Sequence, residues 1–169
     1  MQLQRRYVRI TLDDLHSPVL RHILHVWEGK RNGRAYPSRT DLRPQDFSPF
    51  LRHLTLSRVV EEKRDFEIRI LGDEIVQAYG ENLTGRTVSS LVGLVGEAMV
   101  DAYHAVVDEG GPVLLQGFFE RARNDHFRRE VILMPLGSGG KVQFVLSAGM
   151  LMPRETETTR GDHTKSEAA

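Results

Sequence analysis

Three histidines near the amino terminus are the first residues whose spacing could support chemistry. His22 and His25 stand three apart, which would place both on one face of a helix, and His16 precedes them. Two histidines at this spacing can share a metal ion, but a zinc site needs a third protein ligand, and none is evident nearby. Because Arg21 and Glu28 flank the pair, it is more typical of a polar helix surface, and no metal site is predicted.

Charged residues inside strand-like segments form a second candidate. Arg69 alternates with apolar residues in FEIRIL, and Arg128 and Arg129 flank Glu130 just before an apolar run. In a sheet such residues pair with charges on a neighbouring strand, for which the candidates are Glu67, Glu120 and Glu130. Each exposed pair contributes only about 0.2–1 kcal/mol. The alternative is that Arg69 holds an anionic ligand near the mouth of a cavity. Ion pairing is the favoured interpretation.

The sequence contains no set of residues typical of a known catalytic centre. Cysteine is absent, which excludes disulfides, thiolate metal sites, cysteine nucleophiles and cysteinyl flavin adducts. No carboxylate pair or Ser-His-Asp set stands in a suitable context. GSGGK (137 to 141) has the glycines of a phosphate loop but lacks its strand-loop-helix setting, so it predicts a hairpin turn. RGD (160 to 162) lies in a polar tail and is attributed to chance.

The composition is that of one globular domain. The chain has 169 residues, of which 40% are apolar and 27% charged. No apolar run approaches the ~18 residues of a membrane helix, and no apolar segment follows the basic residues of the amino terminus. A cytoplasmic location is therefore expected. The basic clusters at 5 to 9 and 29 to 34 lack stacking aromatics, so nucleic acid binding is not expected.

Proline and glycine divide the first third of the chain into helical pieces. Ser17-Pro18 predicts the start of an amphipathic helix that ends near Gly29. The next segment, PSRTDLRPQDFSPFLRHL (37 to 54), contains three prolines that split it into short pieces. We interpret it as a rigid connector that leads into the first strand, with a capping box formed by Ser38 and the third residue after it. The charged residues expected to brace this connector, and to lower stability before any activity when substituted, are Arg39, Asp41 and Asp46.

From residue 53 onward the apolar residues recur with a period of two, which predicts strands. A short helix and a long helix, the latter ended by Gly110-Gly111-Pro112, separate two early strands from three late ones. Hairpins at both ends with helices between them predict an α+β domain: a five-stranded antiparallel sheet with helices on one face and an N-terminal helical extension. The predicted strands are 53 to 60, 66 to 71, 113 to 121, 127 to 136 and 141 to 152, and the predicted helices are 74 to 79 and 94 to 107.

The predicted organisation has three parts. An amino-terminal segment covers 1 to 14, and a single domain covers 15 to 152, with a helical cap and connector before residue 53 and the core after it. The segment 153 to 169 has almost no apolar residues and is expected to be a disordered tail.

Several short motifs occur in a distinctive order. They are Trp27; Pro37-Ser38-Arg39 with Asp41, Pro44, Asp46 and Pro49; Phe66, Arg69 and Gly72; Gly80; Asn82-Leu83-Thr84-Gly85-Arg86; Leu133, Pro135 and Leu136; and Gly139-Gly140. With the order of the elements, they resemble a PAS domain, and more narrowly a bacterial family of small stand-alone PAS-fold proteins. The resemblance covers about residues 15 to 152.

The resemblance implies a cavity for a small ligand or signal between the sheet and its helices, frequent dimerisation, and no enzymatic activity. No kinase, cyclase or DNA-binding segment accompanies the domain, so output is expected through a partner or a dimer. Haem-binding PAS domains place a histidine on the long helix, where this chain has His104. That residue falls roughly 160° from the centre of the apolar face. It is expected to point to solvent, and no cofactor is assigned.

Three hypotheses follow. The first is a non-enzymatic sensory or regulatory module that binds a small molecule in its core and signals through a second copy or a protein partner. The second is a ligand-free interaction or dimerisation module that uses the helix 17 to 28 with exposed Val145 and Leu151. The third is a small enzyme with a cleft at Arg69 and Tyr103. No catalytic or metal residue is predicted, and neither nucleic acid nor a membrane is expected as a partner. The predicted cavity residues are Leu56, Phe66, Ile68, Arg69, Tyr79, Met99, Tyr103, Phe119 and Phe144.

Overall fold

A six-stranded antiparallel sheet forms the centre of the structure. The computed structural model describes residues 6–121 and 125–153. The strands are β1 (Arg6–Ile10), β2 (Leu54–Val60), β3 (Asp65–Leu71), β4 (Val113–Arg121), β5 (Asp125–Ser138) and β6 (Lys141–Pro153). Their order across the sheet is β1-β4-β5-β6-β2-β3, so β2 and β3 lie on one side of the three late strands and β1 lies on the other.

The α+β class is confirmed, but the predicted number of five strands is wrong. The additional strand, β1, lies in the segment 1 to 14, where the local pattern indicates no strand. It pairs with β4, so that Tyr7 lies opposite Gly117 and Val8 opposite Gln116. The Tyr7 side chain is buried while Val8 is exposed. Strand preference depends on packing against the neighbouring strand. A five-residue edge strand whose neighbour lies about a hundred residues later in the chain therefore leaves little local signal.

One face of the sheet is covered by α1 (Pro18–Gly29), the N-terminal helical extension. The predicted start is confirmed, since the Ser17 hydroxyl caps the helix by accepting from the Leu20 N–H. The indole N–H of Trp27 donates to the carbonyl of Pro135 at 2.9 Å, which fixes the last turn of the helix against β5. The sheet residues packed under α1 are Leu54, Leu56, Leu114, Ile132, Met134, Leu136, Leu146 and Ala148.

The opposite face carries three helices, α2 (Asp73–Tyr79), α3 (Val92–Val95) and α4 (Glu97–Glu109). The helix predicted at 94 to 107 is interrupted: Gly96, with φ of +87°, separates α3 from α4. The sheet residues packed under these helices are Phe66, Ile68, Val113, Leu115, Val131, Leu133 and Val145. With helices on both faces, the central strands are buried on both sides.

This two-sided burial removes most of the predicted docking surface. Val145 is fully buried on the face of the sheet that carries α2 to α4. The apolar side of α1 packs against the opposite face of the same sheet. The prediction that Val145 is exposed is therefore wrong. Leu151 does remain exposed, at 49%.

The connector between α1 and β2 is built from three single-turn 3₁₀ helices, Arg39–Asp41, Pro44–Phe47 and Phe50–His53. The predicted capping box is present: the Asp41 carboxylate accepts from the Ser38 N–H and hydroxyl, both at 2.8 Å. These bonds, with the Arg34 guanidinium at 2.7 Å, lower the pKa of Asp41 from 3.8 to about 2.

The second acidic residue of the connector acts in the same way, whereas the arginine does not. The Asp46 carboxylate accepts from the Arg43 N–H at 2.7 Å, and that bond lowers the pKa of Asp46. Arg39 is exposed and forms no hydrogen bond or ion pair with any residue that the structure describes. The expectation that Arg39 braces the connector is therefore wrong.

None of the helices in the described ranges is both long enough and apolar enough to cross a membrane. The predicted tail begins within β6, which extends to Pro153, and the rest of that segment lies outside the described residues.

Candidate ligand-binding cavity

A small cavity lies between the sheet and the helices α2 to α4. Its volume is about 50 Å³, which is room for a few water molecules or a small molecular fragment. Most of its wall is apolar, and one side is polar. The apolar residues are Ile68, Leu71, Ile75, Leu83, Val88, Leu91, Val95, Met99 and Val131. The polar floor, as we name it, consists of Thr55, Arg129, Ser147 and Gly149, and the two tyrosines at the cavity are Tyr79 and Tyr103.

Strand register brings the polar floor together from three neighbouring strands. Ser147 on β6 lies opposite Thr55 on β2. Gly149, two residues further along β6, lies opposite Val131 on β5. Arg129 precedes Val131 by two residues and therefore faces the same side of the sheet. Segments more than seventy residues apart in the chain thus contribute to one patch.

Arg129 brings a positive charge into this largely apolar interior. Only 6% of its surface is exposed. Its guanidinium lies against the backbone of Gly149, where an added β-carbon would stand 2.8 Å from Nη2 and 3.1 Å from Nε. The glycine therefore leaves the space that the guanidinium occupies. Burying a charge costs several kcal/mol of hydration, so the guanidinium requires polar groups around it. Thr55 and Ser147 contribute hydroxyl groups to the same cavity wall.

Tyr103 on α4 extends the polar floor with a phenolic hydroxyl. Its oxygen lies 3.3 Å from Ser57 Oγ. Burial raises the pKa of Tyr103, while the hydroxyls of Ser57 and Ser147 act in the opposite direction. The phenol therefore stays protonated at neutral pH and can donate a hydrogen bond. Its ring packs on Phe66, with the centroids 5.0 Å apart.

The structure places four of the predicted cavity residues on the cavity wall: Ile68, Tyr79, Met99 and Tyr103. Phe66 lies behind the wall, in the same core cluster and against Tyr103. The side chain of Phe119 lies outside the described part of the chain.

Three other predicted positions are corrected. Leu56 and Phe144 pack on the α1 face of the sheet, because they have the opposite parity to Thr55 and Val145 on the same strands. Arg69 is exposed and pairs with Glu67 at 2.8 Å. It is the extra residue of a bulge, since the register shifts between Leu56 and the next residue of β2. Arg69 therefore forms an ion pair as predicted, but with a residue of its own strand rather than of a neighbouring one, and its predicted role at the cavity mouth is wrong.

The sequence interpretation missed the polar floor. Arg129 was visible as a charge within a strand, but its face depends on the register of β5 with its neighbours. Thr55, Ser147 and Gly149 each look ordinary in the sequence, since serine, threonine and glycine are common in strands near turns. Ser147 and Gly149 lie two and four residues after Val145 on the same strand, so they share its side of the sheet. Only this relation to a buried apolar residue could have indicated that they face the interior.

Immediately next to Arg129, Glu130 faces the opposite side of the sheet. It is fully buried, and its carboxylate accepts from the backbone N–H groups of His16 at 2.9 Å and Ser17 at 3.0 Å. These two residues form the entry to α1, so a buried charge on β5 holds the start of that helix. Arg128, on the same face as Glu130, contacts the imidazole of His16.

The histidines occupy ordinary environments. His22 packs edge-on against Phe50, with the ring centroids 5.5 Å apart. His104 is half-buried rather than directed fully to solvent, and its ring lies 5.2 Å from that of Phe66. Within residues 6–121 and 125–153, no three histidine or carboxylate side chains are grouped closely enough to hold a metal ion.

Comparison with known proteins identifies one family. A sequence model of the PAS domain matches residues 15–151. No curated protein sequence matches the chain. The solved structure of an RNA-binding light-oxygen-voltage receptor is similar, with a TM-score of 0.44 and 15% sequence identity. That match covers 88% of this chain and 38% of the receptor chain, so this chain spans well under half of the receptor's length.

Proposed function

This chain belongs to the PAS-domain family, as its motifs predict, and we propose that it is a non-enzymatic sensory or regulatory module that binds a small molecule between its sheet and its helices. The single observation that carries the proposal is the cavity with its polar floor. An interior designed only for stability would fill this volume with apolar side chains. Here a buried arginine and two buried hydroxyl-bearing residues face an apolar wall.

The proposed route from the cavity to the surface is short. Arg129 faces the cavity, and the next residue, Glu130, holds the backbone of His16 and Ser17 on the other face. A ligand that favours one position of this part of β5 would also favour one arrangement of the start of α1. A ligand shifts such an equilibrium only by its difference in affinity for the two states. The output would then pass to a second copy of the chain or to a protein partner.

The test of ligand binding is native mass spectrometry of the freshly purified full chain. We expect a fraction of the protein to carry a small additional mass that is lost on denaturation. A metabolite screen by thermal shift on the same preparation should contain compounds that raise the melting temperature, because a ligand that binds only the folded state stabilises it. A bare mass together with a blank screen would refute ligand binding.

A ligand-free interaction or dimerisation module is the second candidate. It is favoured by two exposed apolar residues at the outer end of the sheet, Val8 at 55% and Phe118 at 58%. They share one face, because Val8 lies opposite Gln116 and Phe118 two residues further along β4. In the described ranges β1 pairs only with β4, so its outer edge is open to another strand.

Light scattering at micromolar concentration tests dimerisation through this surface. If the second is correct, the chain is a dimer, and Phe118→Ser converts it to a monomer. Leu51→Ser is the matched control, since Leu51 is also exposed but lies in the connector. A monomeric native chain would refute the second candidate. A small enzyme with a cleft at Arg69 and Tyr103 has lost its basis, because Arg69 is exposed and paired while Tyr103 is buried.

A further inference from the structure

We infer that the cavity takes a small organic acid whose carboxylate binds at Arg129 while its apolar body contacts the helical wall. The inference rests on the proposed function, in that a ligand occupies this cavity, and it names the chemical class of that ligand. The carboxylate of such a molecule would meet the guanidinium of Arg129, and its apolar body would meet the aliphatic residues of the wall.

Arg129 is the group that recognises the acid. A guanidinium offers five N–H donors in a fixed planar fork that matches the two oxygens of a carboxylate. Arg129 can therefore hold a partner within the protein and still present donors to a ligand. The side chain is positioned by the backbone of Gly149, against which its Nε and Nη2 atoms lie. Because the position is fixed before a ligand arrives, little entropy is lost on binding.

The hydroxyl groups beside the arginine complete the recognition of an anion. Thr55 and Ser147 face the cavity from adjacent positions on β2 and β6. Hydroxyls can turn to donate to a negatively charged oxygen. The protonated phenol of Tyr103 lines the same cavity and can donate a further hydrogen bond. Among the residues that line the cavity in the described part of the chain, none is an aspartate or glutamate.

The remaining wall selects an organic body over a bare inorganic anion. Nine of the lining residues have aliphatic or thioether side chains, which would leave an ion such as phosphate with poorly solvated oxygens. A volume of about 50 Å³ restricts the ligand to a few heavy atoms. Short aliphatic monocarboxylates meet both conditions.

The experiment measures binding of a homologous series of acids to the full chain. Acetate, propionate, butyrate and pentanoate are compared with their primary amides and with phosphate, at an ionic strength held constant with sodium chloride. Melting temperature gives the first measure, and calorimetric titration gives the affinity. We expect at least one acid to bind at least about tenfold more tightly than its amide, because a bond to a charged group is lost in the amide. Phosphate should give no shift.

Variants assign the effect to the cavity. Arg129→Gln should weaken binding of the acid by about tenfold or more and should reduce the preference over the amide. Arg69→Gln removes the same charge from the exposed surface and should leave the affinity unchanged. If Arg129→Gln does not fold, Arg129→Lys retains the charge without the fork, and Gly149→Ala displaces the guanidinium. Circular dichroism shows which variants are folded.

The outcomes separate this inference from the proposed function. Equal binding of acid and amide, binding of phosphate alone, or unchanged binding in folded Arg129 variants would overturn the acid while leaving a ligand-binding module in place. A neutral ligand carried by the purified chain, with no response to any acid, would also overturn the acid and leave a ligand-binding module in place. A chain that carries nothing and responds to nothing overturns both.

Discussion

Replacing Glu130 with glutamine tests the link between β5 and α1. The carboxylate is fully buried. Its Oε1 accepts from the Ser17 N–H at 3.0 Å, and its Oε2 accepts from the His16 N–H at 2.9 Å, which also lies 3.3 Å from Oε1. Glutamine has nearly the same shape but only one oxygen, so its amide NH₂ would take the position of Oε2 and meet the His16 N–H. The His16 N–H then loses its shorter bond and keeps only the long one, while the Ser17 N–H exchanges a charged acceptor for a neutral one.

The magnitude follows from these two changes. A buried donor without an acceptor costs about 1–3 kcal/mol, and the exchange of a charged for a neutral acceptor costs about 1 kcal/mol. Relief of the buried charge acts in the opposite direction, but removal of one member of a satisfied buried set is normally destabilising. We therefore expect Glu130→Gln to lower the free energy of unfolding by about 2–3 kcal/mol. For a chain of this size, each kcal/mol lowers the melting temperature by roughly 2–4 °C.

The assay is urea unfolding of the full chain, compared with Glu109→Gln. Glu109 forms an exposed ion pair with Arg9 at 2.7 Å, and loss of such a pair should change stability far less than loss of the buried carboxylate. Amide hydrogen exchange provides the local measure: in Glu130→Gln the N–H groups of His16 and Ser17 should exchange faster than those of the central strands. If the two variants lose equal stability, or if these two amides keep their protection, Glu130 does not hold α1 and the proposed route is refuted.

Two further predictions concern the connector. Gly72→Ala should lower the free energy of unfolding by about 1–3 kcal/mol or more, because its β-carbon would overlap the carbonyl of Arg52 and lie 2.8 Å from that of Leu51. Urea unfolding measures the loss. Gly93→Ala is the control and should lose no stability, because its β-carbon meets no atom within 4 Å. Asp41→Asn should destabilise the chain at neutral pH. The pKa of Asp41 in the folded chain is lowered from 3.8 to about 2. The stability that the Asp41 carboxylate contributes is therefore present above about pH 4 and is lost as the pH falls toward 2. The difference in the free energy of unfolding between Asp41→Asn and the native chain should shrink over that interval. A difference that does not change with pH would contradict this assignment.

The parts of the fold that depend on local signals could be predicted from the sequence. Ser17-Pro18 and the Ser38 capping box begin helical segments as expected, because caps involve residues only three apart. The alternation in β6 separates Phe144 from Val145, but the prediction placed the cavity on the wrong side of that strand, since Leu146 and Ala148 pack toward α1 with Phe144. What the local pattern could not supply was the partner of each face. The number of strands and the burial of the α1 helix both depend on contacts between distant segments.

The two arginines Arg69 and Arg129 show the same limit at the site. Both stand in strands among apolar residues, and the sequence interpretation preferred the first. A bulge and an edge position leave Arg69 at the surface, where Glu67 neutralises it. β5 lies in the centre of the sheet, with β4 on one side and β6 on the other. This position buries Arg129 and places it at the wall of the cavity. Register and strand order, which are non-local, decide between them.

Adjacent charges on a central strand have a consequence for signalling. Arg129 and Glu130 are neighbours in the chain but face opposite sides of the sheet, so one contacts the cavity while the other holds the start of α1. Each charge is expensive to bury, and an apolar pair at these positions would continue the apolar run of Val131 and Ile132. A requirement for stability alone would favour that run. If the proposed function is correct, the pair is the coupling element through which a ligand on one face of the sheet would act on α1 on the other.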